Sequence, residues 1–401
     1  MTVSFAYLAG SAAFADQIFV ALKHWLVGYI PAAAQPIVSA LLSVIPLMVV
    51  FPALFALTTV CERKGLGRIQ NRYGPNRTGP FGLFQPIADG IKSLTKEDIV
   101  PRAADKVVHF VAPIVLVVAA FVAYAVLPVG RNMVAANLDA GLLYFFAAGS
   151  IAELSVFMAG WSSRNKYSLL GAMRAIAQMI SYEVPLILAS VTPIMAAGSL
   201  STVAIVDAQA SYSRIWPHWF VFTPWGFAGF LLFMIAATAE SNRSPFDLPE
   251  VESELVAGYF TEYSGFKFAL FFLAEYLGMF AVSGMGITLF LGGWAAPLSF
   301  LTWIPSWVWF FTKLAGLIVV FIWIRGTVPR LRMDQLMNFA WKFMLPMTLI
   351  NLLNAAVWRF MPLGMVRWMV CAILIFVPYL IFSRALLQGQ HFEKRTYTFA
   401  E

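Results

Sequence analysis

The stretch AESNRSPFDLPEVESELVAGYFTEYSGFKFALFFLAEY, residues 239–276, places an acidic loop between two apolar segments. In a chain with only 12% charged residues, five acids fall close together here: Asp247, Glu250, Glu252, Glu254 and Glu262. Asp247 and Glu250 have the spacing of a capping box, and the dipole of a helix favours acids in its first turn. That explanation does not cover Glu254, which lies one turn from the like charge of Glu250. We therefore interpret the additional acids as groups that contact water and exchange protons.

The apolar segments around this loop continue along the whole chain. The 401 residues are 60% hydrophobic, a higher fraction than soluble domains contain. Apolar runs of about 20 residues, long enough for a helix to cross a bilayer, recur between polar loops. The sequence predicts an all-α polytopic membrane protein with nine spans, at residues 37–60, 107–128, 141–160, 176–198, 224–240, 267–291, 304–325, 343–361 and 364–386.

The two ends of the chain lie outside this membrane domain, which we place at residues 36–388. Residues 1–35 are only moderately apolar and include Asp16 and Lys23, so they favour an interfacial helix over a span. A basic segment and a cleavage signature are missing there, so we do not expect a removed signal peptide. Residues 389–401 form a polar tail.

The distribution of Lys and Arg indicates the orientation. Of the 27 such residues, 21 fall in loops 61–106, 161–175, 241–267 and 325–342 and at the C-terminal end of the chain from Arg384 onward. By the positive-inside rule these loops are cytoplasmic. The N-terminus is then periplasmic, and the acidic loop faces a cytoplasmic partner.

The first of these loops combines turns with an amphipathic segment. Gly74-Pro75 and Gly79-Pro80 predict turns, because proline cannot continue a helix. Between residues 81 and 94 apolar side chains recur every three or four positions, which predicts an interfacial amphipathic helix. For the arginines of this loop alone, simple contact with anionic lipid is an alternative.

Several functions are excluded by the residues present. Two cysteines, Cys61 and Cys371, and four scattered histidines offer no spacing for an iron–sulfur, haem or other metal site. We expect no cofactor bound by this chain, so any electrons come from partner subunits. The net charge of +7 resides in membrane loops, which argues against nucleic-acid binding.

Isolated carboxylates inside apolar runs are the other functional signal. Glu153, Glu183, Glu240 and Glu275 lie within or at the ends of predicted spans. A charged group in hydrocarbon is unfavourable, so such residues pair, titrate or conduct ions. A structural hydrogen bond between helices remains an alternative for each of them.

Four blocks of sequence resemble the H subunit of the bacterial proton-pumping NADH:quinone oxidoreductase, respiratory complex I, the counterpart of mitochondrial subunit 1. They are ERKGLGRIQNRYGPNRTGPFGLFQPIADGIK (62–92), SYEVPL (181–186), the 240–276 region, and RGTVPRLRMDQLMNFAWKFMLPMTL (325–349). The 35-residue lead and the span at 364–386 depart from the common eight-helix form of that family.

The resemblance implies a protein at the membrane entrance of the quinone chamber. It implies quinone-chamber positions at Arg63, Arg77, Asp89, Phe246 and Asp247. It further implies coupling or proton-path positions at Glu153, Glu183, Glu240, Glu250, Glu252, Glu254 and Glu275. Ubiquinone or menaquinone is then the substrate, and NADH, FMN and iron–sulfur clusters are bound by partners.

The implied partners are the hydrophilic-arm subunits at the quinone site, adjacent small membrane subunits and membrane lipid. The implied location is the bacterial cytoplasmic (inner) membrane. Two other functions remain open at this stage: a homologous subunit of a membrane-bound hydrogenase-type complex, and an ion-coupled transporter. We find no inverted repeat of the kind that many transporters contain.

Overall fold

The computed structural model describes residues 11–247, 257–362 and 364–388, and the side chains of 15–247, 257–362 and 364–386. Within these ranges the chain is almost entirely helical. The helices are α1 (Ser11–Gly28), α2 (Gln35–Ile69), α3 (Gln85–Thr95), α4 (Lys106–Ala123), α5 (Gly141–Ser162), α6 (Lys166–Ala197), α7 (Thr202–Gln209), α8 (Pro224–Glu240), α9 (Gly265–Phe290), α10 (Ser306–Thr327), α11 (Met333–Phe360) and α12 (Met365–Gln388).

Short irregular elements connect these helices. Strands β1 (Tyr212–Ser213) and β2 (Trp216–Pro217) pair antiparallel, with Tyr212 opposite Pro217. Single 3₁₀ turns lie at Pro80–Gly82, Tyr124–Val126, Phe220–Phe222, Gly258–Phe260 and Ser299–Leu301.

The all-α polytopic class is confirmed. Among the described residues, eight helices are long and apolar enough to cross a membrane, namely α2, α4, α5, α6, α9, α10, α11 and α12. The remaining predicted span, α8, is apolar but has only 17 residues. At a rise of about 1.5 Å per residue, it is slightly shorter than the hydrocarbon core that it has to cross.

Some helices extend beyond the predicted spans. Helix α2 continues to Ile69, nine residues past the predicted end at 60, and α6 begins at Lys166 instead of 176. The predictions followed apolar runs, whereas helical hydrogen bonding continues into the polar residues at the membrane boundary. As a result, Glu62 and Arg63 lie on a helix and not in a loop.

Helix α11 contains a change of hydrogen-bonding pattern next to a proline. The sequence predicted a span at 343–361, but the helix begins at Met333, and residues Ala340–Met344 form a π-helical segment just before Pro346. Because proline lacks an N–H, a local π-bulge lets the helix continue across it. Asn351 and Asn354 are buried on this helix.

The N-terminal extension contains the helix expected there. Its Asp16 accepts hydrogen bonds from the backbone N–H of Ser306, at 2.6 Å, and from the Ser306 hydroxyl, and so caps α10. Lys23 donates to Ser43 on α2 at 2.6 Å. These bonds fix α1 against the N-terminal ends of α2 and α10, and its interfacial position stays a prediction.

Close packing of small residues holds the central helices together. Helix α6 packs against α5, α8 and α11, and α9 packs against α4 and α8. A Cβ placed on Gly171 of α6 would lie 2.7 Å from the Cα of Gly258, so two backbones touch there. Membrane helices associate through such small-residue contacts because lipid supplies no hydrophobic driving force between them. This contact fixes the described end of the acidic loop to α6.

The amphipathic helix of the first loop is present as α3. Its apolar side chains Ile87, Ile91 and Leu94 are 57–65% exposed, whereas Ser93 and Gln85 are less exposed and hydrogen-bonded. The helix therefore turns its apolar face away from the protein, which is the arrangement expected of a helix at a lipid surface.

Candidate functional site

An arginine–carboxylate cluster lies where α2, α9, α10 and the segment after α8 meet. Glu62 of α2 is only 5% exposed and accepts hydrogen bonds from the Tyr276 hydroxyl and from Arg325 Nη1. Arg243 Nη1 lies 3.8 Å from the Glu62 carboxylate, and its guanidinium stacks on the Tyr276 ring at 3.7 Å. We call Glu62, Arg243, Tyr276 and Arg325 the arginine cluster.

The charges of this cluster compensate one another. Burial opposes the charge of Arg243, but Tyr276, Glu62 and Glu275 keep the pKa of Arg243 above its ordinary value. The Nε and Nη2 atoms of Arg243 are buried without a hydrogen-bond partner among the described residues. A buried ion pair of this kind depends strongly on each of its members, because removing one leaves an uncompensated charge.

Asp247 forms a second buried ion pair beside the cluster. It is 3% exposed and accepts a hydrogen bond from Arg330 Nη2 at 3.0 Å. Burial raises the pKa of Asp247, although Arg330, Arg325 and Arg243 act in the opposite direction. The neighbouring Phe246 is buried against Tyr182, with a ring distance of 5.4 Å.

Gln178 of α6 fixes the chain between the two ion pairs. Its fully buried Nε2 donates to the Ala239 carbonyl at 2.8 Å, the Phe246 carbonyl at 2.7 Å and Asn242 Oδ1 at 3.2 Å. The amide nitrogen has two N–H groups, so one of them is shared between two of these acceptors, and together they hold the turn after α8 against α6. The turn thereby presents Arg243 to one side and Asp247 to the other.

Arg63 and Asp89, two of the predicted quinone-chamber positions, form an ion pair at the protein surface. Arg63 Nη1 donates to Asp89 at 2.6 Å, and Gln85 Nε2 donates to the same carboxylate at 3.0 Å. The bond joins α3 to α2 one residue away from Glu62. Arg77 lies exposed in the following loop, and among the described residues no ion pair joins it to Asp89.

A second group of acids lines a cavity between α4, α5, α8 and α9, with about 760 Å³ of empty space that includes open solvent. Glu240, Asn242, Tyr259 and Glu275 form its polar part, and the Tyr259 hydroxyl donates to Glu275 at 3.2 Å. Most of the other lining side chains are apolar. We call this space the acid cavity.

Two further acids, Glu153 and Glu183, lie between the acid cavity and the protein surface. The two carboxyl groups lie close enough to interact electrostatically, and Glu183 Oε1 accepts a hydrogen bond from the exposed Ser150 hydroxyl at 2.6 Å. Glu240 Oε1 lies close to Gly149 of α5, since a Cβ added to this glycine would be 3.7 Å away. The next residue, Ser150, binds Glu183, so the two groups of acids meet at the same part of α5. Together, Glu275, Glu240, Glu183 and Glu153 form a row of acids that runs from the interior to the exposed side of α5 and α6.

The arginine cluster and the acid cavity are joined by two short segments. On α9, Glu275 lines the cavity and its neighbour Tyr276 binds Glu62. After α8, Glu240 and Asn242 line the cavity and the next residue, Arg243, lies in the cluster. The two sites are therefore adjacent along both segments.

Not every predicted position can be located. Glu250, Glu252 and Glu254 lie outside the described residues. Sequence reasoning did not single out Glu62 or Arg243, and the position of Glu62 directly after an apolar run was the available signal. Among the described residues, no three His, Cys, Asp or Glu side chains are arranged to hold a metal ion.

Comparison with known proteins agrees with the resemblance seen in the sequence. A family model described as NADH dehydrogenase matches residues 42–356. A protein of Geobacillus kaustophilus, named as the H subunit of NADH-quinone oxidoreductase, is 48% identical over 312 residues, covering 78% of this chain and 91% of that protein. Proteins with the same name from Polaromonas naphthalenivorans and Burkholderia vietnamiensis are 42% and 46% identical, covering 86% and 82% of this chain and 98% and 94% of theirs.

Proposed function

Because the chain belongs to the NADH dehydrogenase family, we propose that it is the membrane subunit of an NADH:quinone oxidoreductase that forms the quinone-chamber entrance and links quinone reduction to proton translocation. It is a multi-pass membrane protein and works together with the other subunits of complex I. NADH, FMN and the iron–sulfur clusters belong to those partners, and quinone is the substrate.

The entrance is assigned to the surface formed by α3 and the end of α2. The exposed apolar face of α3 suits a lipid-soluble substrate that arrives from the bilayer. The Arg63–Asp89 ion pair holds α3 against α2, next to Glu62. A quinone headgroup that passes this pair reaches the hydrogen-bond donors and acceptors around the arginine cluster.

The coupling proposal rests on one observation, which is the contact between the arginine cluster and the acid cavity. Quinone reduction consumes electrons and protons and so changes the charge near the cluster. Through the segments Glu240–Arg243 and Glu275–Tyr276 the change reaches the acids that line the cavity. The Glu153–Glu183 pair then offers an exit for the proton or charge signal toward a neighbouring membrane subunit.

The experiment that tests the entrance is Arg63→Ala in the assembled complex. We expect quinone reduction to fall several-fold while NADH oxidation by a soluble acceptor is retained, because the electron-input module is untouched. The effect is moderate, since an exposed ion pair contributes at most about 1 kcal/mol.

Arg102→Ala, an exposed arginine of the same loop, is the matched control and should leave both activities unchanged. Equal loss of both activities in Arg63→Ala would indicate failed assembly. Unchanged quinone reduction would remove Arg63 from the entrance.

A further inference from the structure

A second cavity lies at the face opposite the basic loops, which we call the outer face. It has about 1220 Å³ of empty space, open to solvent, between the C-terminal end of α6, residues 208–225 and the junction of α11 and α12. The acid cavity and the arginine cluster lie elsewhere, so the proposed function does not use this space.

The cavity collects positive charge on a side of the protein where such charge is scarce. Only six of the 27 Lys and Arg residues lie outside the basic loops, and two of them, Arg359 and Arg367, line this one cavity. No carboxylate is among its described lining residues, and no described ion pair involves either arginine. Because arginine is unfavourable on the outer side, a pair of them there suggests a ligand of opposite charge.

The arginines are held in place by contacts that leave hydrogen-bonding capacity free. Arg359 Nη1 donates to the Met195 carbonyl at 3.3 Å, and the Arg367 guanidinium stacks on Trp358 at 3.7 Å. Arg367 also lies in the first turn of α12, where the helix dipole disfavours a cation. An anion beside Arg367 would relieve this unfavourable interaction.

Three buried donors of the lining lack an acceptor. They are Arg367 Nε, Trp219 Nε1 and Trp225 Nε1, which are buried without a hydrogen-bond partner in the described part of the chain, and Trp225 is only 2% exposed. Buried donors are nearly always paired in folded proteins. An anion with several acceptor oxygens, such as a phosphate diester, satisfies donors of this kind, and arginine is well suited to bind it.

The surroundings favour a lipid over a free ion. Trp368 and Phe222, both 49% exposed, belong to the lining, and Met365, Val366 and Met369 continue the exposed apolar surface along the start of α12. Tryptophan is enriched at the headgroup level of membranes. A phospholipid here would bring its acyl chains against α12 and its phosphate against the arginines.

We propose that the outer-face cavity binds the phosphate of an anionic phospholipid from the outer leaflet through Arg359 and Arg367. The lipid fills the junction between α11 and α12 and anchors α12 to the rest of the bundle. The residues matched by the family model end at 356, so both arginines lie beyond them.

The test uses the assembled complex in nanodiscs of phosphatidylcholine that contain a photoactivatable phosphatidylglycerol. After illumination, mass spectrometry of the digested chain locates the cross-linked peptides. We expect cross-links within 208–225 and 355–369, and a reduction on the order of tenfold in Arg359→Gln/Arg367→Gln, since each charge-assisted hydrogen bond is strong. If the double variant fails to assemble, the single variant Arg359→Gln, at an exposed side chain, takes its place. It should give an intermediate reduction of the cross-links.

Arg131→Gln, an exposed arginine of the outer face that does not line the cavity, is the control and should retain the cross-links. Equal labelling by a photoactivatable phosphatidylcholine would overturn the proposal in favour of apolar lipid contact. Loss of the cross-links when inorganic phosphate is added would also overturn the proposal, in favour of a free anion. Labelling that persists in both arginine variants, or no labelling at these peptides, would also reject it.

Discussion

Glu62 is the residue on which the candidate site depends most directly. Its carboxylate is the shared partner of Tyr276 and Arg325 and lies within 3.8 Å of Arg243, so one acid compensates charge from two arginines. Breaking a buried ion pair by removing one partner typically costs about 3–5 kcal/mol. The cluster is therefore expected to be sensitive to this one side chain.

We expect Glu62→Gln to lower the amount of assembled complex in the membrane, because it leaves two arginine charges uncompensated while preserving side-chain shape. The double variant Glu62→Gln/Arg325→Gln removes one of these charges and should recover part of the assembly. Quantitative immunoblotting of membranes and native gels measures both. Normal assembly of Glu62→Gln would contradict the compensating role.

The importance of this residue could not be derived from sequence reasoning alone. Its partners Tyr276 and Arg325 are 214 and 263 positions away, and no local pattern indicates that they meet. The buried acids Glu153, Glu183 and Glu240 were easier to predict, because a carboxylate within an apolar run is conspicuous wherever it lies. The pairing of Arg63 with Asp89 was not predicted, since the family resemblance implied only that each residue lies near the quinone chamber.

At the scale of helices, hydropathy predicted which segments form spans but not where the helices end. The apolar run that ends at residue 60 belongs to a helix that continues to Ile69, because backbone hydrogen bonding does not stop at the edge of the hydrocarbon. The π-helical segment Ala340–Met344 likewise depends on how Pro346 is accommodated in three dimensions. Periodicity did predict α3, since its apolar spacing is local information.

The close contact between α6 and the end of the acidic loop gives a prediction for Gly171→Ala. The added Cβ would lie 2.7 Å from Gly258 Cα, so the loop must move away from α6, at a typical overpacking cost of about 1–3 kcal/mol. We expect a lower thermal stability of the complex and reduced quinone reductase activity. Gly316→Ala on α10, where a Cβ meets no atom within 4 Å, is the control and should match wild type. Equal behaviour of the two variants would argue against the backbone contact.

At the scale of the whole molecule, the nine predicted spans and the charge count lead to a prediction of topology. A reporter fused after Glu401 is expected to be cytoplasmic, and one inserted in the loop at 129–140 is expected to be periplasmic. The asymmetry of 21 against six basic residues is the physical reason. Paired phosphatase and fluorescent-protein fusions measure it. Reporting of both sites from the same side would overturn the nine-span arrangement.

The central claim is that the arginine cluster and the acid cavity act as one electrostatic unit. They share the segments Glu240–Arg243 and Glu275–Tyr276, so a charge change at the quinone side is felt by acids within one or two residues. In the proposed mechanism, the row of acids that continues to Glu183 and Glu153 carries the change to the exposed side of α5 and α6.

The most direct measurement is proton pumping together with NADH:quinone turnover in proteoliposomes that contain Glu183→Gln or Glu240→Gln complex. Glutamine keeps the side-chain shape but cannot exchange a proton, so both rates should fall together, by about tenfold or more. Asp139→Asn, at an exposed acid that does not line the cavity, is the matched control and should pump normally. Normal pumping and turnover in both glutamine variants, with assembly verified, would contradict the claim and leave these acids with a structural role.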